Sequence, residues 1–329
     1  MDDRPVMQIF APKPAQAKAN ALREPPSAAA KWSDIETIYA SARAYLDNTY
    51  MLAEAARVIN PDWSVGNACF FGCKPTFSME SVWVEPLGTD EDEYPPIEFD
   101  GSSPWYKFML DFTAYCAARN DRDFYLTPHF GNSAADTLSL IRSDAALMID
   151  IYENPAWIKQ SMQTIGKALH HIFHTASGII GAANGFASWF GCVADKPVVI
   201  ADADISCLIS PKQFETLFLE QIIEQISWAP YSQYHLDGPD ALRHLDLLLA
   251  IPALNAIQWV PGSGHDEILQ WVPIIKKIQT MKKSVQVYVR PCEVLPLLDE
   301  VSGEGLCMTT HCGSADEADQ LLAAVQKRM

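Results

Sequence analysis

The chain has 329 residues, 49% of them hydrophobic, and a formal net charge of −17. That length and apolar content allow one large core. A surface this acidic repels phosphate backbones and anionic lipid, which disfavours nucleic acid and membrane partners and leaves a small molecule or a protein.

Residues 1–30, rich in Ala, Pro and Lys, read as an N-terminal arm preceding a single domain over 31–329. The opening residues lack the long apolar core of a secretory signal. Eight cysteines are scattered with no disulfide framework, and together these features suggest a reducing cytoplasm. Lys31 to Asn60 reads as helical, with Ile35, Ile38, Tyr39 and Leu46 on one stripe. Residues 61–104 are rich in Gly, Pro and aromatics and include an acidic run, 89–94, expected to be a solvated loop.

Asp123 to Thr127 is a short strand candidate. Asn154-Pro155 opens a helix, with Asn as cap and Pro in the first turn, and Gly178 is expected to close it. Ala168 to Ala194 lacks Asp, Glu, Lys and Arg, but its three histidines, Asn184 and several glycines argue against a lipid-facing span. It reads as a helix end, a glycine stop and a buried strand.

The second half alternates more clearly. Strands are expected at Val198 to Ala201, Gln233 to Leu236, Ala256 to Val260, Val285 to Val289 and Leu306 to Thr310. Helices separate them: one behind the capping box Ser210-Pro-Lys-Gln213, one over Pro239 to Leu249, one over Asp266 to Met281 with a break at Pro273, and a last one behind Ser314-Ala-Asp-Glu317. Repeated β-α units imply parallel strands, and no Gly-rich phosphate fingerprint follows any of them. The predicted fold is therefore α/β, a (β/α)8 TIM barrel with an N-terminal helical and loop extension.

In such barrels chemistry sits at the carboxyl ends of the strands. That rule selects Asp202, Asp204, His235, Asp237, Trp259, Arg290, Cys292, His311 and Cys312. His235 and Asp237, two apart, share one side of their strand. Cys292 and Cys312 end neighbouring strands, and the last helix N-terminus is expected to lower the Cys312 pKa. Imidazole, carboxylate and thiolate together suit zinc with one open position. The bland alternatives are a backbone-bonded histidine and buried structural cysteines. Asp202 and Asp204 read as a general base or substrate anchors, or as turn residues. Trp259 and Trp83 are candidate stacking surfaces, or packing. His170, His171 and His174 read as core or surface, and Cys69-x-x-x-Cys73 has no matching partner pair.

Several stretches resemble the uroporphyrinogen-decarboxylase superfamily from about Trp32 onward. Val198 to Phe214 is similar to its acidic strand end followed by Leu-Ser-Pro-x-x-Phe. Tyr234-His-Leu-Asp-Gly238 resembles its next strand end, and Asp136 to Arg142 with Asp150 to Pro155 resembles an upstream helix pair. The Arg-rich N-terminal motif of true decarboxylases is missing. The resemblance lies nearer the branch of zinc-dependent methyltransferases that move methyl groups between a corrinoid protein and a thiol. It implies zinc held by His235 and Cys312, with Asp237 standing where that branch carries Cys and Cys292 able to restore a second sulfur. Asp202 and Asp204 are then catalytic, and Trp259, Arg290, Trp83 and His311 face substrate. Barrels of this superfamily often pair, which implies a homodimer. The alternatives are a metal-independent decarboxylase or lyase, with Arg290 on the substrate carboxylate, and a non-catalytic binding barrel.

Overall fold

The computed structural model describes residues 4–14, 24–60, 63–88, 94–128, 131–265 and 267–328. The acidic run at 89–93 and Asp266, the expected first residue of a helix, lie outside them.

Thirteen strands are described: β1 (Val6–Pro12), β2 (Thr49–Ala53), β3 (Val58–Ile59), β4 (Lys74–Phe77), β5 (Val82–Glu85), β6 (Tyr125–Leu126), β7 (Phe186–Ala187), β8 (Val193–Ala194), β9 (Val198–Ala201), β10 (Tyr231–Asp237), β11 (Ala256–Val260), β12 (Ser284–Tyr288) and β13 (Leu306–His311). The helices are α1 (Ala28–Ser33), α2 (Ile35–Asn48), α3 (Pro104–Ala118), α4 (Ala134–Arg142), α5 (Asp144–Glu153), α6 (Pro155–Asn184), α7 (Pro211–Leu217), α8 (Leu219–Ile226), α9 (Leu245–Leu249), α10 (Val272–Thr280), α11 (Val294–Glu300) and α12 (Ala315–Arg328).

Strands β9 to β13, the five read from the sequence, lie side by side and parallel, because each is followed by helical chain that returns it to the same end. The main sheet runs β2-β1-β13-β12-β11-β10-β9. β1 pairs parallel with β13, and β2 pairs antiparallel with β1. A smaller sheet, β3-β6-β7-β8, is parallel except for β8, and β4 and β5 form a hairpin. The architecture is a mixed α/β fold around a largely parallel sheet. Among the described residues no strand pairing joins the two larger sheets into a ring.

Three local expectations are corrected. The helix read over Lys31 to Asn60 ends at Asn48, because Thr49–Ala53 pairs with β1 as β2, and β3 follows within the same stretch. Val6–Pro12 is not part of an arm: Met7, Ile9 and Ala11 are buried, and this apolar alternation places β1 inside the main sheet. Helix α6 does not stop at Gly178. It runs to Asn184 across a kink at Gly181, whose φ of 67° breaks the helical run. Elsewhere local chemistry matches the reading. The Ser210 and Gln213 side chains cap α7 reciprocally, and Pro273 sits in the first turn of α10, where its missing N–H costs nothing.

One face of the main sheet is apolar: Ile9, Ile257, Val285, Val287 and Met308 join the core under the helices. The opposite face is polar. Gln286 Nε2 donates to Gln8 Oε1 and Thr309 Oγ1, and Gln233 Nε2 donates to Gln286 Oε1 at 2.7 Å. Among the described residues no helix is long and apolar enough to cross a membrane.

Candidate metal centre at the strand ends

The polar face leads to the candidate site. Gln233, His235 and Asp237 alternate along β10 and so share that face. Gly238 follows with a φ of 79°, a conformation that turns the chain sharply after Asp237 and that an L side chain rarely adopts. Asp204 lies just beyond β9, the neighbouring parallel strand. Register and turn together bring one ligand atom each of Asp204, His235 and Asp237 within 4.8 Å of one another.

His235 is held on three sides. Its Nδ1 hydrogen bonds Gln258 Oε1, the residue directly across the β10–β11 register. Its ring stacks on Phe190, centroids 5.2 Å apart and 27° from parallel. Its Nε2 lies 4.0 Å from Asp204 Oδ1. With an amide oxygen facing Nδ1, that nitrogen is the donor of the pair and Nε2 is left facing the cluster.

A second layer of carboxylates supports the first. Asp136, on α4, accepts hydrogen bonds from the backbone N–H groups of Asp204 and Ile205, at 2.8 and 3.1 Å. Asp202 Oδ1 accepts from the Ser133 N–H at 2.7 Å, and its own N–H donates to Ser133 Oγ at 2.9 Å. Both side chains are buried, and burial dominates their protonation. Desolvation, helped by the charges of Asp202 and Asp204, raises Asp136 well above the usual carboxylate range. Desolvation and the charge of Asp204 push Asp202 to about 7. Asp204 is also raised, by desolvation and by Asp237, although His235 counteracts this and the side chain remains 49% exposed.

The other candidate residues fall elsewhere. Cys292 is exposed on the turn after β12 and is not among the three clustered ligands, and neither is Cys312. Cys312 is buried in the apolar core, and its pKa is raised by burial and by Glu317, not lowered. The reason is local: Glu317 Oε2 accepts the Gly313 N–H, so a carboxylate occupies the helix start that was expected to favour a thiolate. Trp259 is 0% exposed and packs edge-on against Trp271, on the strand face opposite Gln258. Arg290 Nε donates to Glu293 Oε2 at 2.8 Å, with Glu267 3.8 Å away, so carboxylates of the chain already surround it. Trp83 is 65% exposed on the β4–β5 hairpin. His311 ends β13 and stacks on Phe10 of β1, centroids 5.2 Å apart.

The donor set is one imidazole and two carboxylates. Two negative charges and a neutral nitrogen donor suit a divalent cation of the zinc or manganese kind, with positions left for water or substrate. Oxygen-rich ligation makes such an ion a stronger Lewis acid than thiolate ligation would.

A methyltransferase from Methanosarcina mazei has a similar fold, with a TM-score of 0.65 over 100% of this chain and 95% of that one, at 13% identity. No protein family's sequence profile matches the chain, and no curated protein matches it by sequence.

Proposed function

We propose that this protein is a metal-assisted methyltransferase of the uroporphyrinogen-decarboxylase-like superfamily, moving a methyl group between a corrinoid protein and a small thiol or hydroxyl acceptor. The observation that carries the reading is the convergence of Asp204, His235 and Asp237 at the strand ends of this fold. The likeness of the fold to a methyltransferase supports it further. Under this reading β3, β6 and β7 join β1 and β9 to β13 as parallel strands of one barrel. Hydrogen bonds from Gln8 Nε2 to the Gly191 carbonyl and from Gln286 Nε2 to the Phe190 carbonyl, both 2.8 Å, tie the β7–β8 turn to the interior of the main sheet.

The chain's residues have distinct tasks. Asp204, His235 and Asp237 would hold the ion, with zinc as the proposed metal. Bound there, the ion would act as a Lewis acid that lowers the pKa of an acceptor thiol or hydroxyl. Gln258 fixes the His235 tautomer, and Phe190 fixes its ring plane. Asp136 orders the backbone that presents Asp204, and Asp202 binds that segment to Ser133. The methyl carbon would pass from the corrinoid to the acceptor sulfur or oxygen, whose proton goes to solvent, giving, for a thiol, a thioether and a reduced corrinoid.

A metal-free lyase reading would need Arg290 for the substrate carboxylate, and the ion pairs to Glu293 and Glu267 argue against that. The direct test uses free methylcob(III)alamin as donor and 2-mercaptoethanol as acceptor, in the presence of zinc. The wild type should produce cob(I)alamin and the methyl thioether, and His235→Ala should not. No thioether from the wild type with either the free corrinoid or a corrinoid protein would favour a non-catalytic binding role.

A further inference from the structure

Beneath the candidate metal centre, two cysteines flank Gln286 in the polar interior. Cys192 lies on the β7–β8 turn and donates from Sγ to Gln286 Oε1 at 3.3 Å. Gln286 lies directly opposite Cys307 in the β12–β13 register. Cys192 and Cys307 are therefore both neighbours of Gln286, one through its hydrogen bond and the other through the strand register. The Cys192 backbone is held in place, its N–H donating to Ser188 Oγ at 3.1 Å and its carbonyl accepting from the Ser188 N–H at 2.7 Å.

Cys192 is also partly exposed, whereas Cys307 is buried. Cys192 lines a cavity of about 460 Å3 at the amino ends of β9, β10 and β11, with Val198, Tyr231, Gln233 and Asn255. This opening lies at the opposite end of the strands from Asp204, His235 and Asp237, so a reagent entering it does not cross the metal centre.

We propose that Cys192 and Cys307 form a modification site, a dithiol that hydrogen peroxide entering this cavity converts to a disulfide. The Cys192 sulfur attacks one peroxide oxygen. An S–O bond forms, the O–O bond breaks, and the leaving hydroxide takes a proton to become water. Cys307 then attacks the Cys192 sulfur, forming the S–S bond and releasing a second water. The two sulfurs lose two electrons in total and the peroxide gains them. The roles follow from position: Cys192 lines the cavity and is partly exposed, whereas Cys307 is buried and does not line it, and the Cys192 pKa is lowered while that of Cys307 is raised. Cys192 is therefore the attacking thiol and Cys307 the resolving one.

The other cysteines differ. Burial pushes Cys69, Cys73 and Cys116 to about 12, and Cys292 is exposed in the turn beside Arg290. The disulfide would tie the turn carrying Phe190 to β13, one layer below His235.

The test treats native, fully reduced wild-type protein with a small excess of hydrogen peroxide. Remaining thiols are then alkylated under denaturing conditions and the peptides are mapped by mass spectrometry before and after reduction. A Cys192–Cys307 linked peptide, reversed by reductant and formed in most of the protein, is the expected result. Cys192→Ser should remove the link and leave Cys307 alkylatable. Both cysteines remaining free, or Cys192 passing to the sulfinic acid with Cys307 untouched, would overturn the proposal. The wild-type map decides alone if a variant fails to fold.

Discussion

His235 Nδ1 is hydrogen bonded to Gln258 Oε1 across the β10–β11 register, and this contact turns Nε2 toward Asp204, 4.0 Å away. One buried amide thus decides which imidazole nitrogen a metal would meet. Gln258 is fully buried and its own Nε2 has no hydrogen-bond partner, a cost consistent with a residue kept for its oxygen.

Gln258→Ala should therefore weaken divalent metal binding without removing any ligand. Loss of a residue that orients a ligating histidine lowers affinity by about 10–100-fold. Competition with a chromophoric chelator measures this. Unchanged affinity would mean that the Phe190 stack alone orients His235.

Asp202 gives a pH signature in the metal-free protein. Its folded pKa of about 7 lies above the ordinary carboxylate value of 3.8. The folded state thus holds this proton more tightly than the unfolded chain does. The resulting stabilisation is complete below the unfolded pKa and is lost as pH rises through about 7. Asp202→Asn keeps an oxygen for the Ser133 N–H but cannot ionise. Thermal melts should show a gain in Tm for Asp202→Asn at pH 8 and little change at pH 5. An equal loss at both values would show that the ionised carboxylate stabilises the fold.

Ile9 tests the placement of the N-terminal strand. It is 0% exposed on β1 between β13 and β2. Ile9→Ala should cost roughly 2–5 kcal/mol in urea unfolding, as truncation of a buried aliphatic side chain does. A change near zero would return Val6–Pro12 to the status of an arm.

The legible parts of the sequence were those whose signal is local. Strands β9 to β13 and the capping box at Ser210 are written in neighbouring residues, and so is the pairing of His235 with Asp237 on one strand face. β1 was obscured because its seven residues adjoin a stretch rich in Ala, Pro and Lys, and its partner β13 lies some three hundred positions later. Strand-end position alone selected Trp259, but the register places Gln258 opposite His235 and so turns Trp259 to the other face. The repeated glutamine in three successive strands, Gln233, Gln258 and Gln286, was the available signal for a polar interior. Asp136 carried no such signal. It reaches Asp204 across 68 positions, and only the folded chain brings them together.

Metal content tests the central claim most directly. Protein equilibrated with zinc and freed of excess should hold about one ion per chain, as expected for a single site with three protein ligands. That ion should be lost in His235→Ala, sharply reduced in Asp237→Asn and retained in Cys312→Ser. A wild type that binds no divalent metal, or one whose metal depends on Cys312 and not on His235, would contradict the site described here.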